Sequence, residues 1–471
     1  MLEQIIYILP IGILLLGIGI FSLLRLSPEQ NNRCFKLCRL IILSSFVLSV
    51  VFYNKPIIIG ITSANRYLLL FQSVLYICAL LLLFLSRKWF VGMKVSGQRF
   101  CYVVLLTVLA GNLLIVSRHL ALTVSAMILM MFGQAWLIKD GGKKTSNQNA
   151  LIYSVSAFLF SCLLIVATTV LYKQCGTLNY TQLATYIEIY RHHLPVFSAA
   201  IILVFGFLFL LGMAPLHYWL TEILDSVKLP IFSLFILLPS CAVWIGFLRL
   251  NLKLLTFLTP SLHMFYLGIA VFSLAIGAIG ATSCRNVRKI FAYGIVFQYG
   301  LIMLVLQHFN VHTIWTALFY WQTVLLSMTG ICSILFGLKN KGDYLFMLGE
   351  FAGLGHKKPF LAGLLTVFLF SLVGLPPFWG GAGLFSVFNQ LIIARHYYQI
   401  IFVAVMLLIL AYAYLQIIKT LYFDENKDIF DRTDSNIYVL LVGILALMTI
   451  IMLRAAIWAE DISLLTEAIA A

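Results

Sequence analysis

Apolar stretches of about twenty residues, separated by short polar loops, recur along the whole of this chain. A helix needs about twenty predominantly apolar residues to cross the hydrocarbon core of a bilayer. Because that core offers the backbone no hydrogen-bonding partners, stretches of this length indicate helices. The pattern predicts about fourteen transmembrane helices, at roughly 5–24, 37–54, 67–86, 99–117, 120–138, 150–172, 195–217, 230–250, 263–282, 290–307, 313–337, 359–394 as one broken element, 399–421 and 437–458.

Composition leads to the same class of fold. Of the 471 residues, 62% are hydrophobic and only 10% are charged, whereas an ordinary globular domain has about a quarter of its residues charged. A soluble protein of this size could not cover its surface with so few polar residues. We therefore expect an all-α polytopic membrane protein, which excludes a soluble enzyme, a nucleic-acid-binding protein and a secreted disulfide scaffold.

The basic residues predict the orientation in the membrane. Of the 31 Lys and Arg residues, 22 lie in loops on one side of the predicted helices and nine lie on the side of the N-terminus. Because cytoplasmic loops carry the excess of Lys and Arg, both termini are expected on the non-cytoplasmic side. The net charge of +15 is then mainly a topological signal and does not require a nucleic-acid partner. The first apolar stretch follows no basic segment and has no clear cleavage site, so we interpret it as a helix and not as a removable signal.

Glycine and proline interrupt two of the predicted helices, the seventh and the twelfth. The first break contains Pro215, and the second contains Pro376 and Pro377. Proline removes a backbone donor and breaks a helix. The two breaks are five helices apart, and this odd separation means that the broken helices cross the membrane in opposite senses. The pattern predicts two inverted five-helix repeats, about helices 4–8 and 9–13, although an ordinary proline kink would explain either break alone.

The repeats predict how the chain is divided. Helices 1–3 would occupy 1–98, the first repeat 99–250, the second repeat 251–421, and the last helix with the C-terminal tail 422–471. No connecting stretch is long enough for a soluble domain, so every division falls within the membrane part.

Metal and cofactor motifs are absent from the sequence. The nine cysteines are scattered, and the closest pair, Cys34 and Cys38, has no further Cys or His nearby. This spacing matches neither a zinc site nor an iron–sulfur site. No glycine-rich nucleotide motif follows a strand. We therefore expect this chain to bind no metal and no cofactor.

Four motifs resemble the antiporter-like membrane subunits of respiratory complex I. They are Gly111–Ser117 before the fifth helix, Ala214–Trp219 at the first break, Asn286–Tyr293 at the start of the tenth helix, and Ser371–Pro377 at the second break. Each motif is short, but their order and spacing cover the chain from end to end. The resemblance is strongest to the subunit N branch. It implies a component of a proton-translocating NADH–quinone oxidoreductase in the bacterial inner membrane.

The resemblance also implies a charged line at the midplane, which this sequence lacks. The family moves protons along one Glu on helix five, lysines on helices seven, eight and twelve, and often a His on helix ten. The matching positions here are Leu129, Leu210, Ser240 or Cys241, Leu384 and Gln298. Leucine cannot titrate, and glutamine and serine hold water but not a proton. We therefore expect a subunit that is degenerate as a proton channel and mainly structural.

Four other polar residues remain as candidates. His217 follows the first break, where it could serve proton entry or satisfy freed carbonyls. His308 ends the tenth helix, where an interfacial role is expected before a proton relay. Arg249 ends the eighth helix and is expected to extend to the interface. Lys289 begins the tenth helix on the cytoplasmic side, where anionic lipid and topology account for it.

These considerations leave more than one assembly open. In complex I, the NADH, FMN, iron–sulfur clusters and quinone would belong to partner subunits, and this chain would contact other membrane subunits and lipids. The alternative is a paralogous subunit of an Mrp-type cation/proton antiporter or of an inorganic-carbon uptake complex. A stand-alone structural membrane protein is the least favoured, because paired broken helices need partners or water.

Overall fold

A computed structural model gives the architecture of the chain. It describes residues 2–24, 28–52, 57–59, 62–64, 66–93, 95–139, 144–191, 193–340, 342–424, 430–431, 433 and 435–455. The described part is mostly helical. The helices are α1 Leu2–Leu23, α2 Asn31–Phe52, α3 Arg66–Gly92, α4 Gln98–Val116, α5 Leu120–Ile138, α6 Lys144–Cys175, α7 Tyr180–Ile189, α8 Leu194–Leu211, α9 Tyr218–Ser226, α10 Leu229–Arg249, α11 Thr259–Thr282, α12 Val287–Leu306, α13 Val311–Gly337, α14 Leu354–Lys357, α15 Pro359–Val373, α16 Trp379–Ile393, α17 Tyr397–Tyr422 and α18 Ser435–Ala455.

Eleven of these helices contain a segment long and apolar enough to cross a membrane, counted over the described residues. They are α2 to α6, α8, α10 to α13 and α17. Four shorter apolar helical segments accompany them: Leu9–Leu23, Pro359–Val373, Trp379–Ile393 and Asn436–Leu445. The chain is therefore a multi-pass helical membrane protein. Residues 456–458 of the last predicted span lie outside the described residues.

Short elements fill the loops between the long helices. Two small antiparallel ribbons occur, β1 Ile57–Ile59 with β2 Thr62–Ala64 and β3 Lys339–Asn340 with β4 Asp343–Tyr344. The loop before α8 contains the short helix α7. Asn179 begins α7 by accepting a hydrogen bond from the backbone N–H of Thr181 at 3.3 Å, which satisfies one of the free amides at a helix start.

The chain divides into two compact units, with boundaries near the first break and at Ser261/Leu262. In the first unit α10 is the central helix: every residue of α10 is buried, and it packs against α3, α4, α5 and α8. An apolar helix that is buried on all sides belongs to a protein interior and not to the lipid boundary. Beyond α10 the backbone widens into a π-helical turn, Leu250–Leu254.

In the second unit α13 is the central helix. It is buried over most of its length and packs against α12, α15, α16 and α18. Its first turn is fixed by a reciprocal cap, in which Asn310 and Thr313 each accept a hydrogen bond from the other's backbone N–H. Such a cap satisfies two otherwise free amides at the helix start.

The two breaks fall where the sequence predicted them. The first lies between α8, which ends at Leu211, and α9, which starts at Tyr218. The second lies between α15, which ends at Val373, and α16, which starts at Trp379. In both, a cis peptide bond precedes a proline, Ala214–Pro215 in one and Pro376–Pro377 in the other.

Candidate functional site: a buried neutral network

A hydrogen-bonded group of uncharged side chains lies inside the second unit, centred on Gln298 of α12. Gln298 is 1% exposed. Its Nε2 donates to the carbonyl of Leu372 at 2.8 Å, and its Oε1 accepts a hydrogen bond from the hydroxyl of Tyr320 on α13. The amide oxygen and the amide nitrogen therefore both have protein partners, as buried polar groups require.

Two serines beside this network connect α13 to the second break. The hydroxyls of Ser327 on α13 and Ser371 on α15 lie 2.9 Å apart, and both residues are buried. The backbone N–H of Gly380, at the start of α16, donates to Ser371 Oγ at 3.1 Å. Because a break frees backbone donors that lipid cannot satisfy, this serine provides the partner that the broken helix needs.

A similar amide–phenol pair lies in the first unit. The hydroxyl of Tyr153 on α6 donates to Oε1 of Gln134 on α5 at 2.5 Å, and both side chains are completely buried. Amide, hydroxyl and phenol groups keep one protonation state near neutral pH, since the ordinary pKa of a tyrosine is about 10. The pair can therefore hold water or orient a helix, but it does not store a proton at neutral pH.

Apart from Gln298, the positions predicted from the sequence to match the family's charged line hold leucine, serine and cysteine side chains that are buried or half-buried. Leu129 on α5 is half-buried, and Leu210 on α8 and Leu384 on α16 are buried. Ser240 and Cys241 on α10 are also buried, and both donate to the carbonyl of Leu237, at 3.0 and 3.2 Å. The hydroxyl of Ser240 and the thiol of Cys241 therefore find their hydrogen-bond acceptor in the preceding turn of the same helix.

Each break is built around a glycine with a positive φ and a leucine that covers it. Gly212 has φ +65° and Gly374 has φ +83°. A Cβ at Gly212 would meet Leu220 Cβ at 2.9 Å, and a Cβ at Gly374 would meet Leu384 Cδ2 at 2.5 Å. Glycine alone adopts this conformation at low cost. Leu384 therefore covers the glycine of the second break; that this position matches the family's lysine stays a prediction from the sequence.

The prolines of the breaks lie between the helix ends. Pro215, Pro376 and Pro377 are exposed. Behind the first break the backbone N–H of Ala214 donates to the hydroxyl of Ser273 on α11 at 3.1 Å, which repeats the serine–amide contact of the second break.

His217 and Lys289 lie in the second unit close to the first break. The ring of His217 is half-buried and faces Tyr293, with 6.3 Å between ring centroids. Lys289 Nζ forms an ion pair with Glu222 Oε1 at 2.7 Å. The side chains are 22% and 58% exposed, so solvent screens the pair and it contributes modestly to stability. Lys289 thus has a specific partner within the chain, which sequence reasoning did not assign to it.

The predicted position of Arg249 at the interface is wrong. Its side chain is only 1% exposed, and Nη1 donates to the carbonyl of Ile115 on α4 at 2.7 Å. The reason is that α10 is central in its unit, so its last residue is surrounded by protein instead of lipid. The guanidinium joins the C-terminal ends of α10 and α4, where free carbonyls attract cations.

His308 lies after the end of α12 and is exposed. Its Nε2 is 3.1 Å from Nε2 of His396. Within the described ranges there is no group of three or more His, Cys, Asp or Glu that could hold a metal ion.

Sequence reasoning found Gln298 but missed its partner Tyr320 and the pair of Gln134 with Tyr153. The available signal was a glutamine in the middle of an apolar stretch, which needs a partner wherever it is buried. The partner itself could not be found, because any of several tyrosines on neighbouring helices could have met it.

Comparison with known proteins now defines the class. The fold is that of the antiporter-like membrane subunits, and a family model described as "NADH:quinone oxidoreductase/Mrp antiporter, TM" matches residues 117–411. The chain belongs to this family. Among curated relatives, an NADH-quinone oxidoreductase subunit N of Beijerinckia indica is 26% identical over 79% of this chain and 78% of its own length. The subunit N of Orientia tsutsugamushi is 26% identical over 96% of this chain and 97% of its own length.

Solved structures share the fold at lower identity. A chain of respiratory complex I from Thermus thermophilus with bound Aureothin has a TM-score of 0.80 at 19% identity, covering 96% of this chain and 99% of that chain. A chain of the archaeal membrane-bound sulfane sulfur reductase scores 0.86 at 17% identity, covering 99% and 98%. A chain of the Mrp complex from Dietzia sp. scores 0.80 at 16% identity, covering 100% and 97%. At these identities the likeness concerns the fold alone.

Proposed function

We propose that this chain is a subunit N-like membrane-arm component of a proton-translocating NADH–quinone oxidoreductase, and that it is degenerate as a proton channel and mainly structural. The family match and the many relatives named subunit N support the first part. One observation carries the second part: the matching positions are occupied by packed, non-ionising side chains, with Leu384 filling the second break and Gln298 fully hydrogen-bonded. Proton transfer needs groups whose pKa values lie near the working pH, and these side chains provide none.

The proposed architecture has fourteen membrane crossings with two inverted five-helix repeats. The first repeat would comprise α4, α5, α6, the broken pair α8 and α9, and α10. The second would comprise α11, α12, α13, the broken pair α15 and α16, and α17. The internal likeness of the units supports this assignment: the fourth member of each set is interrupted at a positive-φ glycine covered by a leucine, and the second and third members share a buried Gln–Tyr pair.

The same proposal gives the chain a membrane, an orientation and partner subunits. It would lie in a bacterial inner membrane with both termini on the non-cytoplasmic side, in contact with other membrane subunits and with lipid. NADH, FMN, iron–sulfur clusters and quinone would be bound by partner subunits. The likeness to a relative named subunit N over nearly its whole length supports this assignment.

Proton conductance of the full chain in liposomes tests the channel part. Liposomes containing the chain and an internal pH dye receive a potassium gradient and valinomycin, which drives protons through any open path. We expect a rate equal to that of empty liposomes, because the apolar positions interrupt a conducting line. A protonophore added at the end confirms that the gradient was present. A rate clearly above that of empty liposomes contradicts the proposal.

An Mrp-type antiporter subunit is the second candidate, and the inorganic-carbon uptake complex remains part of the same alternative. The fold likeness to the Mrp and sulfane sulfur reductase chains supports a paralogue outside complex I. Purification of the tagged chain from mild detergent distinguishes the candidates. Redox subunits of an NADH–quinone oxidoreductase in the eluate support the first candidate, and their absence together with antiporter or carbon-uptake subunits supports the second.

A further inference from the structure

Three histidines from separate parts of the second unit meet at one end of α12. His263 lies in the first turns of α11, His308 follows α12, and His396 precedes α17. The ring of His263 stacks on one face of His308, with 4.7 Å between ring centroids. The Nε2 atoms of His308 and His396 are 3.1 Å apart, with 5.4 Å between centroids and 10° between ring planes. These two rings therefore lie edge to edge, with one nitrogen pointing at the other.

This contact between the two rings is a hydrogen bond only when one nitrogen carries a hydrogen and the other has a lone pair. A neutral imidazole has one N–H and one lone pair on its nitrogens, whereas an imidazolium has two N–H groups and no acceptor. The bond therefore forms with both rings neutral, or with one ring charged, when it is charge-assisted. With both rings charged, two N–H groups and two like charges would face each other 3.1 Å apart, so the contact is lost.

The surroundings of the pair contain no negative charge that could offset a second proton. None of the helices that meet at this end, α11, α12, α13, α16 and α17, contains an Asp or a Glu. The other titratable or charged side chains here are His263, Arg395 directly before His396, and His312 in the first turn of α13. Burial, and then the charges of His263 and His396, lower the pKa of His308 below its ordinary value of 6.5.

The backbone beside the histidine pair is held in two unfavourable conformations. Phe309, directly after His308, has φ +44°, and Arg395, directly before His396, has φ +58°. In the described part of the chain these are the only residues other than glycine with a positive φ. Such conformations persist where the surrounding contacts fix them. The histidine contact joins these two loops, so its loss would allow both backbones to relax.

A buried amide pair joins the same two segments and does not respond to pH. Gln307 precedes His308, and Gln399 follows His396 by three residues; their side-chain amides donate to each other at 3.1 and 3.4 Å. Gln307 is 2% exposed, and amides do not titrate near neutral pH. The amide pair therefore keeps the end of α12 beside the start of α17 when the histidine contact is lost, and the change is confined to the two loops.

We propose that His308 and His396 form a pH-sensitive latch between the loop joining α12 to α13 and the loop joining α16 to α17. The latch is closed while the pair carries at most one proton, and it opens when a second proton binds. Because α16 runs from the second break to this latch, opening would release one end of the broken helix. The proposal does not depend on which assembly contains the chain.

The sign of the pH dependence follows from which form binds the second proton. The open form takes it up near the ordinary histidine pKa of about 6.5, whereas the closed form has no place for it. The closed form therefore prevails above about pH 6.5 and is lost as the pH falls through that value. Since one proton distinguishes the two forms, the ratio of closed to open latch falls by at most about tenfold per pH unit.

Hydrogen–deuterium exchange of the full chain, purified with whatever subunits accompany it, tests the latch. Exchange of the backbone amides in 307–312 and 394–400 is measured by mass spectrometry between pH 7.5 and pH 5.5, and each rate is corrected for the pH dependence of chemical exchange. We expect the protection of both loops to fall together below about pH 6.5, by up to about tenfold per pH unit. Amides in the centre of α13 are the internal reference and should keep a constant protection.

His308→Gln and His396→Gln each remove one titrating ring. Glutamine can still form a hydrogen bond with the remaining histidine, so both variants should keep the loops protected without the fall below pH 6.5. His312→Gln is the matched control, because His312 is exposed and four residues from His308, and it should show the same fall as the wild type.

If His396→Gln does not fold, the His308→Gln variant decides alone, because His308 is exposed and its replacement disturbs little packing. Loop protection that does not change with pH in the wild type overturns the proposal. A fall that persists unchanged in the folded His308→Gln variant also overturns it, because that variant has no pair to take up a second proton.

Discussion

The hydroxyl of Tyr320 donates a hydrogen bond to Oε1 of Gln298, and both side chains are almost completely enclosed in the second unit. Gln298 uses its Nε2 to hold the carbonyl of Leu372 at 2.8 Å. One glutamine therefore joins α12 to α13 and to the end of α15, beside the second break. The resemblance predicts that this position matches one where the family often has a histidine, which titrates near neutral pH. A glutamine there preserves the connection between helices but does not titrate.

Tyr320→Phe should destabilise the chain, because it leaves Gln298 Oε1 buried without its donor. An unsatisfied buried polar atom costs about 1–3 kcal/mol. The measurement is the free energy of unfolding in detergent, from a titration with a denaturing detergent. Tyr398→Phe is the control. Because Tyr398 is 91% exposed, this substitution should change the free energy of unfolding little.

The double variant Tyr320→Phe with Gln298→Leu sharpens this prediction. Replacing both partners by apolar groups removes the unsatisfied atom, so the double variant should be more stable than the sum of the two single changes predicts. Strict additivity of the two single changes would show that the hydrogen bond contributes nothing.

Gly374→Ala should destabilise the second break. Its φ of +83° disfavours any residue with a Cβ by about 1–2 kcal/mol, and the new Cβ would meet Leu384 Cδ2 at 2.5 Å. Gly363→Ala in α15 is the matched control, because open space surrounds that position. In a helix interior this control should stabilise by up to about 1 kcal/mol. Thermal unfolding in detergent measures both variants, and equal effects would contradict the role of the positive φ.

Leu384→Lys should lower stability and fail to restore proton conductance. Leu384 is 6% exposed, and a charge forced into such a place without a partner costs of the order of 3 kcal/mol or more. Leu384→Met keeps the volume and should cost less than about 1.5 kcal/mol. The conductance of both variants is measured in the liposome assay described above. Conductance gained by the lysine variant alone would show that one residue, and not the whole line, limits proton movement.

His119 should make stability depend on pH on the acidic side. It is half-buried in the loop between α4 and α5, and burial lowers its pKa below the ordinary value of 6.5. The unfolded chain therefore binds the proton more readily, so stability should fall as the pH drops through 6.5 and level off below the lowered pKa. His119→Gln should show a weaker fall between pH 7 and pH 5 in thermal unfolding. An unchanged pH profile in this variant would assign the effect to another group.

The sequence by itself determined the membrane class, the approximate helix positions and the two breaks. These properties are local: a long apolar stretch has to be helical in lipid, and glycine and proline close together disfavour the helix in their own segment, whereas the single prolines Pro10 and Pro239 lie inside helices α1 and α10. The breaks around Pro215 and Pro377 therefore fall within a few residues of their predicted places.

Tertiary structure alone decided which helix faces meet. Hydropathy does not distinguish a helix surrounded by protein from one surrounded by lipid, because both are apolar. For this reason Arg249 was predicted at the interface and is in fact enclosed beside Ile115. The ion pair of Lys289 with Glu222 joins residues 67 positions apart. The partner of a buried polar group depends on the packing of the whole helix set, and no single stretch of sequence contains that information.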